Sequence, residues 1–336
     1  MKKIMTVAGE ISAVKCTKVL SHEHLFIDLR HQAHASAPER PLTAADHAML
    51  MCDPYALRDN LVIDDFSAAA DECAGLLNAG CNTVVDCSTA EIGRDPEKLL
   101  RLAENTGMNI VMGCGNYTGD IHPEWFINAD EDKCIEKLLA EIRYGINGIR
   151  PGIIGEIGTS MVILPSEYKA LRVAAAAQLE SGLAMQVHIY PWSCNGLEVV
   201  QMLTSLGVAP DRVVICHSDV APDTDYIREL LENGVYVQLD NFGKEFTPDI
   251  AGFAGGSFAK DSERVTIAAG IIESGYGDQL LMTNDICLKC MLKYCGGAGY
   301  RHIFDDIVPQ FAAYGIDETY LNQHILHDNP LAMLSY

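Results

Sequence analysis

Basic side chains are scarce in this sequence. Against 46 Asp and Glu stand only 24 Lys and Arg, so the formal net charge is −22. No basic stripe is available to neutralise phosphates, which argues against a nucleic-acid partner. Long hydrophobic runs are missing too. None approaches the roughly 20 apolar residues that a bilayer span needs, so no membrane partner is expected. The opening MKKIMTVAGEISAVKC carries Glu10 and scattered polar residues. It has neither the unbroken apolar stretch nor the small-residue cleavage site of a secretory signal. Low-complexity tracts, charge blocks and Pro- or Ser-rich linkers are absent as well. Nothing divides the chain, so residues 1–336 are expected to form a single domain, with a short segment 1–20 ahead of the first strand.

What is present is a chain of 336 residues, 49% apolar and 21% charged. That balance excludes a disordered or fibrous protein. The length suits two ordinary domains, or one α/β barrel of roughly 250 residues with insertions. Twelve cysteines follow no framework spacing, and many lie in apolar runs such as VVICHSD. They read as free thiols in a reducing cytoplasm. Cys287-Leu288-Lys289-Cys290 looks like half a zinc site. No second C-x-x-C follows, and Cys295 is unsuitably spaced, so these too are read as free thiols.

Short β-rich runs recur at 21–28, 82–89, 109–117, 152–160, 184–190, 212–219, 235–242 and 279–285. Helical patterns separate them. In DPEKLLRLAENTG, Leu99, Leu100 and Leu102 sit among charges; SEYKALRVAAAAQLESG offers Ser166 as an N-cap and Gly182 as a stop. Eight strands, each followed by a helical pattern, point to parallel pairing through crossover helices and to closure as a (β/α)₈ barrel. The rival is a doubly wound open sheet. It lacks support, because no strand opens into a G-x-G-x-x-G turn. Two long inserts, 30–60 and 241–262, follow the first and seventh strands. Loops in those positions sit on the catalytic face of a barrel and could shape a pocket, or serve as surface decoration.

The sharpest local signal is His22-Glu23-His24. Residues i and i+2 of a strand share a face, so both imidazoles point one way and Glu23 the other. In a barrel that face can be the interior, where neutral imidazoles hold a divalent metal. Alone, H-x-H is weak evidence. Further metal-capable residues, however, end later strands: Glu156 on the fourth, His188 on the fifth, His217 on the sixth and Asp285 on the eighth. Five strands presenting such groups at one level are hard to ascribe to packing, since buried imidazoles and carboxylates are costly unless paired or coordinated. The set suits two borderline ions, with zinc expected and manganese or cobalt as alternatives. His22, His24 and Asp285 would hold one, His188 and His217 the other, and Glu156 would lie between them. Two such ions bring +4, and two carboxylates with one hydroxide bring −3, leaving an electrophilic centre. Asp285 is the expected proton acceptor and so the catalytic residue.

Taken together, SHEHLFID, GCGNY, GIIGEIGTS, QVHIYPW, ICHSD, YVQLDNFGK, MTNDI, GGAGYRHIFDDIVPQF and HDNPLAML resemble the phosphotriesterase family of the amidohydrolase superfamily almost end to end. The resemblance implies a TIM barrel with a binuclear centre, commonly zinc, at the C-terminal ends of the strands. It maps the family's metal ligands onto His22, His24, His188, His217 and Asp285. It also implies a homodimer. The best-known triester hydrolases and lactonases of the family use a carboxylated lysine as the bridge. Here the strand reads Ile-Gly-Glu-Ile-Gly, so Glu156 is the candidate and the chain resembles the glutamate-using branch. Tyr117 matches a tyrosine that lies over the metals in lactonase-like members.

Lys244 and Arg301, in loops after strands seven and eight, are candidates to receive an anionic substituent of the substrate, or else are solvated surface charges. His31 and His34 are expected at the surface, and Tyr190 and Trp192 on the pocket wall. The leading expectation is a metal-dependent hydrolase of a small-molecule ester, a lactone above others, with or without a phosphate. Amide and phosphotriester hydrolysis are the alternatives on the same centre, and a metal-free ligand-binding barrel is the alternative from another class.

Overall fold

The computed structural model describes residues 2–247 and 256–336. The middle of the 241–262 insert, residues 248–255, lies outside them. β1 (Lys3–Thr6) and β2 (Gly9–Ser12) form an antiparallel hairpin ahead of the first barrel strand, β3 (Lys18–Glu23). β4 (Ile27–Asp28) and β5 (Val62–Ile63) pair antiparallel and pin the ends of the first long insert. The other barrel strands are β6 (Cys81–Asp86), β7 (Asn109–Met112), β8 (Ile154–Gly158), β9 (Met185–His188), β10 (Val213–Ile215), β11 (Tyr236–Leu239) and β12 (Leu280–Met282). All eight runs read as strands are strands, though shorter than the runs.

The pairing is parallel within two sets, β3-β6-β7 and β8-β9-β10-β11-β12. Two seams close them into a (β/α)₈ barrel. At one, the Gly152 and Gly155 amides donate to the Met112 and Cys114 carbonyls at 2.9 and 2.7 Å. A Cβ on Gly113 would stand 2.1 Å from the Gly155 oxygen, and Gly155 has φ +131°, so this approach requires glycine on both sides. At the other seam the Thr283 hydroxyl lies 3.2 Å from the His22 carbonyl and 2.6 Å from Glu23 Oε1. Glu23 also accepts the Asn284 and Ile286 amides at 2.9 and 2.8 Å. Its carboxylate thus does the pairing that a short β12 leaves undone.

Inward residues of successive strands, Val19, Val85, Val111, Ile153, Val214 and Leu281, fill the lower barrel. Ile4 from the hairpin and Leu331, Met333 and Leu334 from helix Asn329–Leu334 close it from below. Outward residues such as Leu20, Val84, Ile110, Met185 and Leu280 pack against the helices. Helix Pro96–Thr106 follows the sequence pattern: Leu99 and Leu102 are buried, and the Asp95 side chain accepts the Lys98 amide. One expectation is corrected. Ser166 is not an N-cap, because Pro165 already occupies the first helical turn of Pro165–Ser181. Glu167 holds the chain entering the helix instead, accepting the N-cap amide of Leu164 at 2.8 Å and the loop amide of Ser160 at 3.0 Å. Gly182, with φ 74°, ends the helix as expected.

Candidate metal centre

Strict alternation from inward Val19 would send His22 outward, with Leu20. A register shift between Leu20 and Glu23 re-aims the strand end instead. The same device recurs on β8, where a shift between Ile154 and Ile157 brackets Glu156. His217 and Asp285 follow the ends of β10 and β12 in left-handed backbone, φ 59° and 47°. They are two of three non-glycine residues in that region among those described. Such conformations are held by their surroundings. The His217 amide donates to both oxygens of Asp240 at 3.1 Å, and Glu23 grips the amides on either side of Asp285.

These irregularities bring the six expected residues together. His22 Nε2 lies 3.3 Å from Glu156 Oε2 and 3.7 Å from Asp285 Oδ1, and His24 Nε2 lies 3.1 Å from Asp285 Oδ1. On the other side, His188 Nδ1 and His217 Nε2 approach each other to 2.8 Å. They stand 3.6 and 3.5 Å from Glu156 Oε2. Glu156 therefore faces both halves.

Tautomers follow from the partners. Ser88 gives its hydroxyl hydrogen to the Phe26 carbonyl at 2.9 Å, so it can only accept from His24 Nδ1, also at 2.9 Å. His217 Nδ1 donates to Asp240 Oδ1 at 2.9 Å. In the neutral form of each ring, Nε2 is the nitrogen that carries the lone pair and faces the centre.

Several of these atoms lack a hydrogen-bond partner among the described residues although buried: both ring nitrogens of His22, Glu156 Oε2 and Asp285 Oδ1. Buried polar atoms without partners are expensive, and bound cations would satisfy His22 Nε2, Glu156 Oε2 and Asp285 Oδ1 at once. The donor set therefore fits metal. His22 with Glu156 and His217, and His22 with His24 and Asp285, each offer three ligand atoms within 4.8 Å of one another. A third grouping, His22 with Cys216 and Asp240, meets the same distance. It is the poorer site, because burial pushes the Cys216 thiol well above its usual range and the thiolate is the ligand form.

Burial opposes charge throughout the cluster, and neighbours outweigh it selectively. Glu156 is held well below the usual carboxylate range by His22, His188 and His217. Asp285 is likewise lowered by Lys244 and the first two histidines. His188 is lowered by burial and by the facing His217.

A cavity of about 590 Å³ opens above the cluster. Tyr55, Tyr117, Tyr190, Trp192, Phe246 and Phe258 form much of its wall. Both long inserts contribute, the first through Gln32 and Tyr55 and the second through Asn241, Lys244, Phe246 and Phe258. Tyr117 is brought in as expected, its hydroxyl 3.3 Å from His188 Nδ1. Burial and the nearby carboxylates raise its phenol well above the ordinary value, so it remains a proton donor. Lys244 lines the cavity but is no solvated charge: it is buried, with Nζ hydrogen-bonded to Asp285 Oδ2.

Arg301 is a correction. It runs outward over helix Phe66–Asn78, pairs with Asp305 at 2.9 Å, and lines a separate cavity with Asp65 and Lys293. His34 is taken by Asp53 at 2.9 Å, and His31 is exposed. Cys287 and Cys290 are free, as are the other ten cysteines, and burial pushes the Cys287 thiol up to about 12. Sequence reasoning missed Asp240 and Glu23, the carboxylates behind the ligands.

The sequence profile of the phosphotriesterase family matches residues 2–334. The chain belongs to the phosphotriesterase family. Members of this family are hydrolases with a binuclear metal centre, and the cluster lies where a (β/α)₈ barrel carries its chemistry. Among phosphotriesterase relatives, the N-acetyltaurine hydrolase of Salmo salar is 31% identical over 344 residues, covering 99% of this chain and 98% of that protein. A resiniferatoxin-binding protein from Rhodobacter sphaeroides has the same fold with a TM-score of 0.93. It is 30% identical, with 99% of this chain and 94% of that one covered. A substituted PTE-like lactonase from Deinococcus radiodurans gives a TM-score of 0.77 at 27% identity, covering 98% and 99%. Among the described residues no helix is long and apolar enough to cross a membrane.

Proposed function

We propose that this chain is a zinc-dependent hydrolase of uncharged carboxylic esters, lactones with an apolar substituent foremost. One observation carries the reading: the partnerless carboxylate oxygens of Glu156 and Asp285 lie at the floor of an aromatic-walled cavity where, among the described residues, the one lining Lys or Arg is already paired. Residues 248–255, PDIAGFAG, contain no Lys or Arg. Mixed imidazole and carboxylate ligands suit zinc. His22, His24 and Asp285 would hold one ion, His188 and His217 the other, and Glu156 would bridge them. Bound there, the two ions would supply Lewis acidity and lower the pKa of water to near neutrality.

The remaining work falls to side chains. Asp285 takes the proton of the attacking water, and Lys244 at its Oδ2 keeps that carboxylate ionised between turnovers. Tyr117, protonated and beside His188, offers its hydroxyl to the substrate oxygen on which charge develops. The aromatic wall receives the apolar substituent of the substrate.

Amide hydrolysis is the second reading, favoured by the match to N-acetyltaurine hydrolases across nearly the whole chain. An N-acyl taurine would bring a sulfonate into a cavity whose lining lysine is committed to Asp285, which ranks it behind a neutral ester.

The test is metal analysis of the purified protein, followed by a turnover screen of zinc- and manganese-loaded samples. Lactones, neutral amides, N-acetyltaurine and aryl phosphotriesters form the panel. Two equivalents of metal and the highest kcat/KM on lactones are expected. Higher kcat/KM on an amide would replace the ester reading with the second one, and a protein that binds no metal would sink both.

A further inference from the structure

Beyond the residues that face the cavity, one buried carboxylate is hydrogen-bonded to a member of the cluster from behind. Asp240 follows β11 directly and is fully buried. Its Oδ1 lies 2.9 Å from His217 Nδ1, and both of its oxygens lie 3.1 Å from the His217 amide. Its Oδ2 stands 3.7 Å from His22 Nδ1. Asp240 thus holds His217 by hydrogen bonds on the ring edge away from Glu156, and stands beyond hydrogen-bond reach of His22.

Asp240 is itself held on every side. The Asn241 amide group donates to Oδ1 at 2.6 Å, and Gln238 Nε2 donates to Oδ2 at 3.3 Å. Its backbone amide donates to Asp219 Oδ1 at 3.2 Å. Asp219 in turn is clamped by the fully buried Arg264, whose Nε lies 3.1 Å from Asp219 Oδ2. A carboxylate so fixed can fix what it touches.

We propose that Asp240 is the positioning residue of the metal centre: it imposes the Nδ1–H tautomer on His217, so that this ring presents Nε2 to the cations. The inference rests on the metal-dependent reading above. The physical logic is that a metal-binding imidazole needs its lone pair on the facing nitrogen, and the opposite nitrogen's hydrogen bond decides where the proton sits. Asp240 is not itself a ligand in this assignment, because its Oδ1 is spent on the Nδ1–H of His217 and the Asn241 amide. A group that acted only by holding the left-handed turn at His217 would need the backbone contacts but not the ring contact. The two roles therefore separate by experiment.

Asp240→Asn is nearly isosteric and can still accept a hydrogen bond from the His217 amide, but its side-chain NH₂ can also turn toward the ring and stabilise the other tautomer. Zinc affinity is read by competition with a chromophoric chelator, and ring protonation by ¹⁵N NMR of the zinc-loaded protein. In wild type we expect two equivalents of zinc and the His217 proton on Nδ1. In Asp240→Asn we expect about 10–100-fold weaker binding of at least one equivalent, with the apoprotein's melting temperature little changed. Zinc affinity within about twofold of wild type in that variant would overturn the proposal. The wild-type spectrum decides independently of whether the variant folds, since a His217 proton on Nε2 excludes the assigned tautomer. A wild-type protein that binds no zinc would instead overturn the metal-dependent reading itself.

Discussion

At the lower end of the barrel, Val19, Val111, Ile153, Val214 and Leu281 meet the hydrocarbon of Ile4, Leu331, Met333 and Leu334. A few residues further along the same strands, His22, Glu156, His188, His217 and Asp285 fill the equivalent space with nitrogen and oxygen. Below, the inward positions are apolar and buried, although β3 also carries a register shift at Lys18/Val19. Above, the strands carry register shifts, left-handed residues and acceptors without partners. The lower end contributes stability by apolar burial and asks nothing else of its side chains. The upper end departs from local rules at the positions that carry chemistry, and buried carboxylates behind it, Glu23 and Asp240, restrain the irregular backbone.

If the two ends are specialised in this way, substitutions should divide between them. Asp285→Asn keeps an oxygen in place but removes the anionic proton acceptor. Turnover should drop by about 10²–10⁴, while the unfolding midpoint shifts little relative to that loss. Metal content measured on the same sample separates a lost base from a lost ion. Near-normal rate with intact metal would mean that another group takes the proton. At the other end, Leu334→Ala opens a cavity under the barrel. Unfolding in urea should register a loss of about 2–5 kcal/mol, with kcat per folded molecule unchanged. A matching fall in kcat would break the comparison, because it would couple the floor of the barrel to its mouth.

Much of this division was legible in the sequence, and the reasons are physical. Period-2 apolar runs separated by helical patterns identify the eight strands because both signals recur. The six cluster residues stand out because ionisable groups at the ends of apolar runs are too costly to be incidental. Glu23 and Asp240 stayed hidden for the opposite reason: a carboxylate beside a strand end, as in LDNF, reads like an ordinary solvated turn until its partners are known. The register shifts at Leu20/Glu23 and Ile154/Ile157 leave no mark in composition. Lys244 and Arg301 illustrate the limit of reading loops. Each is a cation following a barrel strand, yet one turns inward to a carboxylate and the other outward over a helix, and only packing distinguishes them.

The smallest expected effect lies between the two ends, on the ring of contacts that supports the Lys244 turn. His302 Nε2 lies 2.7 Å from Asp261 Oδ2, and its Nδ1 lies 2.9 Å from Asp306. Asp261 accepts the Gly243 amide at 3.0 Å, just before Lys244, and pairs with Arg264 at 2.8 Å. Burial disfavours the His302 charge, but the two aspartates outweigh it and raise the imidazole above its usual value. Burial would likewise raise Asp261, but His302, the Gly243 amide and Arg264 bring it below the usual range. The histidine's contribution to stability is therefore complete below its unfolded value, near pH 6.5, and fades as pH rises through the higher folded one. The aspartate's contribution is present above about pH 3.9 and fades as pH falls through its lowered value. Both act together between roughly pH 4 and 6.5. His302→Gln should lower the melting temperature by roughly 2 °C at pH 6, with the difference from wild type shrinking toward pH 9. A difference that stays constant across that span would mean that the ring supports the turn by its shape and not by its charge.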